Sequence, residues 1–159
     1  MPSVDVAVVG AGPAGVSAAL HLRRAGLDVL VVDRARFPRD KCCGDGLTTL
    51  ALRELELLGL DPGAVAGWTD VTRAMVRGPG GREVALPLPP PGSGRFAAVT
   101  PRQDLDAALV ALARAGGVTV ADGHALVDAE AWRPDRITLA VEGLGEVSAR
   151  YAVGADGMW

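Results

Sequence analysis

The most constraining feature of this sequence is a glycine-rich hexapeptide, GAGPAG, at residues 10–15. It follows an apolar run, Val4–Val9, of the kind found in buried parallel strands. It precedes a segment with helical spacing, Ala14–Ala25, which stops at a glycine. A second apolar run, Asp28–Val32, then ends at Asp33. The order strand, glycine-rich turn, helix, strand predicts a βαβ unit.

The hexapeptide has the G-x-G-x-x-G spacing of dinucleotide-binding turns, and its position between a strand and a helix supports that interpretation. Gly10 permits a tight turn, Gly12 lets a pyrophosphate approach the main chain, and Gly15 lets the helix pack closely on the strand. The helix start at Pro13-Ala14 offers N–H groups and a partial positive charge to phosphates. Asp33 is a candidate acceptor for adenosine ribose hydroxyls, and its charge disfavours a 2′-phosphate.

The rest of the chain predicts one α/β domain with a Rossmann-like sheet over residues 1–159. Two more helices are expected, at Thr48–Leu58, which stops at Gly59, and at Pro101–Ala115. Four leucines are expected to line one face of the first of these helices: Leu50, Leu52, Leu55 and Leu58. Further strands are predicted at Val118–Ala121, Ala125–Ala129, Ile137–Val141 and Ser148–Val153.

Residues 68–100 have a different pattern. Two short strands, Val71–Arg77 and Glu83–Leu88, flank a turn at Gly78–Gly81. The proline-rich run Pro87–Gly94 is incompatible with a helix or a central strand. This region is therefore predicted to be a β excursion that leaves the first sheet.

Charge and cysteine content exclude several classes of protein. The net charge of −3 gives no basic stripe for nucleic acid, so no nucleic-acid partner is expected. The two cysteines, Cys42 and Cys43, are adjacent, which suits neither a disulfide framework nor a metal site. Their pattern favours a reducing, cytoplasmic location. The apolar stretch Val6–Leu20 is broken by glycines and is neither a signal peptide nor a membrane span.

Four motifs occur in a fixed order: Gly10–Gly15, Lys41–Leu47 (KCCGDGL), Thr100–Leu109 (TPRQDLDAAL) and Val153–Gly157 (VGADG). The order of these motifs resembles that in FAD-dependent oxidoreductases of the para-hydroxybenzoate hydroxylase type. The loop Phe37–Leu47 is similar to the geranylgeranyl reductase branch, in which a basic loop runs into a Cys-Gly-x-Gly-Leu element. The resemblance implies an FAD-binding domain, with residues 68–100 belonging to the substrate-side sheet.

The resemblance also implies a set of FAD-binding residues. Asp33 would contact the adenosine ribose, and Arg102 matches the arginine that reaches the FAD phosphates and ribose. Ala125 or Leu126 lies where a backbone contact to adenine is usual. Asp156-Gly157 matches a motif near the pyrophosphate that is tied to use of a nicotinamide cofactor. The full implied set is Gly10, Gly12, Pro13, Ala14, Gly15, Asp33, Arg34, Cys43, Gly44, Gly46, Arg102, Ala125, Leu126, Asp156 and Gly157.

Cys43, Gly44 and Gly46 match the element that passes beside the flavin. A thiol there is a candidate redox group or proton donor, which makes Cys43 the candidate catalytic residue. The alternative is an inert packing role. His21 and His124 are interpreted as structural or solvated, and no metal site is predicted.

The resemblance implies hydride transfer from reduced FAD to an isoprenoid C=C bond, with NAD(P)H as the electron donor. Three alternatives remain open: an FAD-dependent aromatic hydroxylase or halogenase, a non-catalytic or split FAD-binding fragment, and a plain NAD-binding Rossmann domain. The substrate would then be a small isoprenoid or aromatic molecule. An isoprenoid substrate would suggest peripheral membrane contact by the full-length parent.

Members of the resembled family are much longer and carry a later Gly-Asp motif that binds the ribityl chain of FAD. The chain is therefore expected to be an N-terminal portion that pairs with a C-terminal half or with itself.

Overall fold

A computed structural model describes residues 1–43, 45–89, 94–133 and 135–157. Its helices are α1 (Pro13–Arg24), α2 (Thr49–Leu58) and α3 (Arg102–Ala115), with one 3₁₀ turn at Pro62–Ala64. Its strands are β1 (Ser3–Val9), β2 (Val29–Asp33), β3 (Gly46–Leu47), β4 (Thr69–Asp70), β5 (Arg73–Arg77), β6 (Glu83–Pro87), β7 (Ala98–Val99), β8 (Thr119–Asp122), β9 (Leu126–Arg133), β10 (Arg136–Val141) and β11 (Gly145–Gly154).

The main sheet has six strands in the order β8-β2-β1-β11-β10-β9. Strands β8, β2, β1 and β11 run parallel, whereas β10 is antiparallel to both β11 and β9. At the centre, Val8 of β1 lies between Val31 of β2 and Val153 of β11. Because β1 and β2 are flanked by strands and covered on both faces, their apolar runs are continuous. The predicted βαβ unit and the α/β Rossmann-like class are confirmed.

The two faces of this sheet are covered differently. On one face, α1 and α3 pack against β1 and β2, and Val16, Leu105 and Leu109 are fully buried there. On the other face, Leu139 and Val141 of β10 pack with apolar side chains of β1 and β2. These apolar contacts fix the carboxyl ends of β1 and β2, where the glycine-rich turn and Asp33 lie.

Helix α2 begins and ends as its sequence predicts. The Thr48 hydroxyl accepts a hydrogen bond from the Ala51 N–H at 3.4 Å, and Gly59 ends the helix with φ 84°. Leu52, Leu55 and Leu58 are buried, as predicted. The prediction was wrong for Leu50, whose side chain is 83% exposed. It precedes Leu52 by two positions, a spacing that places it on the opposite side of a helix.

The β excursion is present and separate from the main sheet. Strands β3, β7 and β4 form a small antiparallel sheet, and β5 and β6 form a two-stranded hairpin. The Gly78 N–H donates to the Arg82 carbonyl at 2.9 Å and closes the hairpin turn. Every residue of β5 and β6 is exposed, including Met75, Val76, Val84 and Leu86.

Candidate functional site

The glycine-rich turn joins β1 to α1, and two of its glycines are required by the fold. Gly10 has φ 108°, a left-handed conformation that favours glycine. A Cβ atom at Gly10 would also collide with the Ala155 carbonyl oxygen, and one at Gly15 would collide with the Gly10 carbonyl oxygen. These two positions therefore let β1, α1 and the end of β11 approach one another closely.

Gly12 is different, because the fold itself leaves room for a side chain there. Its φ is −75°, and the nearest atom to an added Cβ is Arg39 Nη2 at 3.7 Å. The first helical hydrogen bond runs from the Val16 N–H to the Gly12 carbonyl at 2.9 Å, so the Ala14 and Gly15 N–H groups precede it. The first turn of α1 carries no acidic residue. Space and unpaired donors together fit a phosphate at this helix start.

Asp33 is held rigidly at the end of β2. Its Oδ2 accepts from the Ala11 N–H at 2.8 Å, and its Oδ1 accepts from the Ala35 N–H at 2.8 Å. A carboxylate has further lone pairs on both oxygens, so it can also accept from ribose hydroxyls. The structure therefore places the predicted ribose acceptor beside the glycine-rich turn in a fixed orientation.

A cleft of about 210 Å³ lies above the carboxyl ends of β1 and β2. It brings together six predicted site residues from distant parts of the chain, namely Gly10, Asp33, Arg34, Ala125, Leu126 and Asp156. The loop before Ala125 is fixed there because the His124 N–H donates to the Asp33 carbonyl at 2.8 Å. The Gly123 N–H likewise donates to the Ala35 carbonyl at 2.9 Å. The cleft has the residues and the position expected for an adenosine group.

A second cleft, of about 450 Å³, shares Asp33, Arg34 and Asp156 with the first. The loop after β2 supplies the rest of its lining: Ala35, Arg39, Asp40, Lys41 and Cys42. The shared residues show that the two clefts adjoin each other at the end of β2.

Arg102, the first residue of α3, is paired with a buried acid. Its Nε and Nη2 donate to Asp106 Oδ1 and Oδ2 at 3.1 and 3.0 Å, and Asp106 is completely buried. Burial lowers the pKa of Arg102, but the hydrogen bonds with Asp106 and Cys43 outweigh this effect, so the pKa is raised above its usual value. Arg39 Nη1 lies 3.1 Å from Asp106 Oδ2 and forms a second ion pair.

The remaining predicted residues lie around these groups. Cys43 is exposed and is hydrogen-bonded with Arg102. Gly46 pairs with Val99 in the small sheet, and Gly44 lies outside the described residues. Gly157 has φ 75°, and a Cβ there would lie 2.9 Å from Lys41 Nζ. Pro13 occupies the first position of α1, and Ala14 is exposed beside it.

Sequence reasoning missed three charged residues of the site: Arg39, Lys41 and Asp106. One signal for Asp106 was available, because it follows Arg102 by four positions on a helix and lies between the buried Leu105 and Leu109. Arg39 and Lys41 lie in the basic loop that carries the family resemblance, but the sequence did not indicate what each side chain would contact. Their positions depend on how the loop after β2 folds against α3 and the end of β11.

None of the helices in the described part of the chain is long and apolar enough to cross a membrane. Within the same residues, no group of three or more His, Cys, Asp or Glu side chains could hold a metal ion.

Comparison with known proteins identifies the family. A family model described as an FAD binding domain matches residues 3–159. The chain is 44% identical over 127 residues to menaquinone reductase of Mycolicibacterium smegmatis, which covers 78% of this chain and 30% of that protein. It is 35% identical over 164 residues to digeranylgeranylglycerophospholipid reductase 2 of Methanopyrus kandleri, with 97% and 37% covered. The chain spans about a third of the length of these relatives.

Solved structures agree with this family. A geranylgeranyl bacteriochlorophyll reductase-like protein from Thermoplasma acidophilum superimposes with a TM-score of 0.79 at 26% identity, covering 99% of this chain and 40% of that one. A flavin-dependent halogenase superimposes with a TM-score of 0.78 at 29% identity, covering 99% and 30%. The predicted resemblance is confirmed. This chain belongs to the FAD-binding domain family of flavin-dependent oxidoreductases, and FAD is its cofactor.

Proposed function

We propose that the protein is an FAD-dependent reductase that saturates an isoprenoid C=C bond, with NADH or NADPH as the electron donor. The observation that carries the proposal is the position of Cys43, a residue of the KCCGDGL motif that lies against Arg102 at the start of α3. This loop is the element in which the sequence resembles geranylgeranyl reductases. Two relatives at 44% and 35% identity are reductases, and one acts on a digeranylgeranyl lipid.

In this proposal the two clefts hold the ADP half of FAD. Asp33 accepts from the adenosine ribose, and the main chain at Ala125 or Leu126 contacts adenine. The start of α1 receives the pyrophosphate, where an ionised group is favoured by N–H donors and by the helix dipole. Arg34 and Asp156 line both clefts, at the point where the ligand passes from one to the other.

Bound FAD would supply the hydride chemistry. The protein would have to bind the cofactor, orient the substrate and supply a proton to it. Reduction of a C=C bond needs a hydride on one carbon and a proton on the other. We assign the proton-donor role to the Cys43 thiol, which is exposed at the loop that approaches the flavin in the resembled family. Arg102, which is hydrogen-bonded with Cys43, would stabilise the thiolate that remains after the thiol has given up its proton. Gly44, Gly46 and Gly157 complete the proposed cofactor contacts.

The β excursion, residues 68–100, is proposed to belong to the substrate-side sheet. Its hairpin carries exposed apolar side chains on both faces, which suits a surface that is covered by further chain or by an apolar substrate. We propose a cytoplasmic location and no nucleic-acid partner. An isoprenoid lipid substrate would bring it to a membrane surface.

A second candidate, an aromatic hydroxylase or halogenase, is supported by the halogenase neighbour with its TM-score of 0.78. The products separate the two candidates.

The purified protein, loaded with FAD, is supplied with NADH or NADPH and a geranylgeranyl lipid in the absence of oxygen. We expect bleaching of the flavin absorbance and a lipid product that has gained a pair of hydrogens per reduced bond.

Cys43→Ser is the test variant, and Cys42→Ser is its matched control, because it alters the neighbouring exposed thiol. We expect Cys43→Ser to slow product formation while flavin bleaching by the nicotinamide cofactor continues. An oxygen-dependent product that has gained an oxygen or a halogen atom would instead establish the second candidate.

A further inference from the structure

We propose that Arg39 is a direct ligand of the FAD diphosphate and that Asp106 positions it for this role. The proposal adds a cofactor-binding residue from the basic loop Phe37–Leu47, in which the sequence analysis gave Arg39 no role of its own. It rests on FAD binding by the family and is independent of the substrate and of the reductase reaction proposed above.

The first support is the position of the Arg39 guanidinium. Its Nη2 is the nearest atom to an added Cβ at Gly12, at 3.7 Å, and Arg39 also lines the second cleft. Gly12 is the position at which the main chain is open to a pyrophosphate. A phosphate that approaches the start of α1 therefore comes within hydrogen-bond reach of Arg39.

The second support is the way in which the guanidinium is fixed. Its Nη1 is buried beside Asp106 Oδ2, in an ion pair at 3.1 Å, and the side chain is only 16% exposed. Its Cζ also lies 5.1 Å from the centre of the Phe37 ring. A planar guanidinium carries donors on two edges. Arg39 can thus keep Asp106 on one edge and present Nη2 to an anion on the other.

The third support is the charge of the cluster. Asp106 is completely buried, and its Oδ2 contacts both Arg39 and Arg102. Arg39 therefore shares this carboxylate with a second arginine, and the other acid beside the pair, Asp45, accepts from the Arg102 main-chain N–H at 3.3 Å. A guanidinium that shares its carboxylate and lies beside a helix start favours an anion, and a diphosphate supplies one. Asp106 does not face the ligand, so it acts as a positioning residue through Arg39.

The test measures FAD affinity by flavin fluorescence over a series of NaCl concentrations, with the 159-residue chain. Arg39→Met should weaken FAD binding about tenfold or more, the size of one charged hydrogen bond. It should also flatten the salt dependence, because one cation–phosphate contact has been lost. Arg39→Lys should keep the salt dependence and lose only part of the affinity. Arg36→Met is the matched control, since Arg36 is exposed on the same loop and should leave both quantities unchanged.

Asp106→Asn separates positioning from simple electrostatics. Removal of a negative charge alone would tighten the binding of an anion, whereas loss of positioning weakens it. We expect Asp106→Asn to weaken FAD binding by at least about threefold. In a chain that already carries Arg39→Met, adding Asp106→Asn should cause little further loss of FAD affinity, because both changes remove the same interaction. The proposal is overturned if Arg39→Met binds FAD with wild-type affinity and salt dependence. It is also overturned if Asp106→Asn binds FAD more tightly, or if the wild-type chain does not bind FAD. Failure of the reductase assay alone leaves these results unaffected.

Discussion

The main sheet and the β5–β6 hairpin use similar apolar residues with opposite results. Val8 and Val31 of the main sheet are fully buried, whereas Val76 of the hairpin is 54% exposed. On one face the main sheet packs against α1 and α3, and on the other face side chains of its own strands β1, β2, β10 and β11 form a second buried cluster. Among the described residues, no second layer buries the hairpin. The difference shows that the described residues complete the core below the cleft at the ends of β1 and β2, whereas they leave the hairpin uncovered.

Removal of a buried side chain should give the largest difference between the two regions in the free energy of unfolding that is lost. Leu109 of α3 is fully buried, so Leu109→Ala should reduce the free energy of unfolding by about 2–5 kcal/mol through lost contacts and a cavity. Leu86→Ala makes the same chemical change in the hairpin, where the side chain is 50% exposed, and should cost less than about 0.5 kcal/mol. Urea unfolding followed by circular dichroism measures both values. Equal losses would mean that the hairpin is packed in solution.

Self-association should depend on one face of the hairpin. Val76 pairs with Val84 and Ala74 pairs with Leu86, so these four side chains share a face of the two strands. The double variant Val76→Lys, Leu86→Lys should weaken self-association at least about tenfold, because two charges are placed on an apolar contact. Sedimentation velocity over a range of concentrations measures this effect.

Met75→Lys is the control for that variant, because Met75 is also exposed but lies on the other face. It should change self-association less than the double variant does. A wild-type chain that remains monomeric at high concentration would show that the uncovered face does not drive association.

The smallest effect is expected at Asp122, where the main sheet meets the loop after β2. Asp122 Oδ2 accepts from the Phe37 N–H at 3.0 Å, and Oδ1 pairs with Arg114 Nη2 at 2.6 Å. The Phe37 hydrogen bond, aided by Arg114 and opposed by burial, lowers the pKa of Asp122 below 3.8. The folded state is therefore stabilised above that pH, and the stabilisation is lost as the pH falls through the lowered pKa.

Asp122→Asn should accordingly cost about 1 kcal/mol or less at pH 7, since the ion pair is partly exposed. The difference from the wild type should shrink as the pH falls below about 4. Unfolding curves at several pH values measure this. A difference that is constant from pH 7 to pH 3 would show that the charge of Asp122 is not the cause.

Local signals predicted much of the fold. The glycine-rich turn, the Thr48 cap and the Gly59 stop each act within a few residues, so the βαβ unit and α2 followed from the sequence. The prediction that Leu50 lies on the buried face of α2 was wrong, because four leucines were assigned to one face without regard to their spacing. The pairing of Arg39 with Asp106 was not predictable, because it joins residues far apart in the chain. Ala125 and Leu126 entered the site through the family resemblance and not through a local pattern.

The most direct test of FAD binding is the visible spectrum of the chain after incubation with FAD and desalting. Three variants are compared: wild type, Gly12→Val, and Gly80→Val, which adds the same side chain at an open position of the hairpin turn. The wild type and Gly80→Val should retain flavin. Gly12→Val should melt close to the wild-type temperature but lose flavin, because its side chain occupies space left for the pyrophosphate. A wild type without flavin, or a Gly12→Val variant that retains it, would contradict the account.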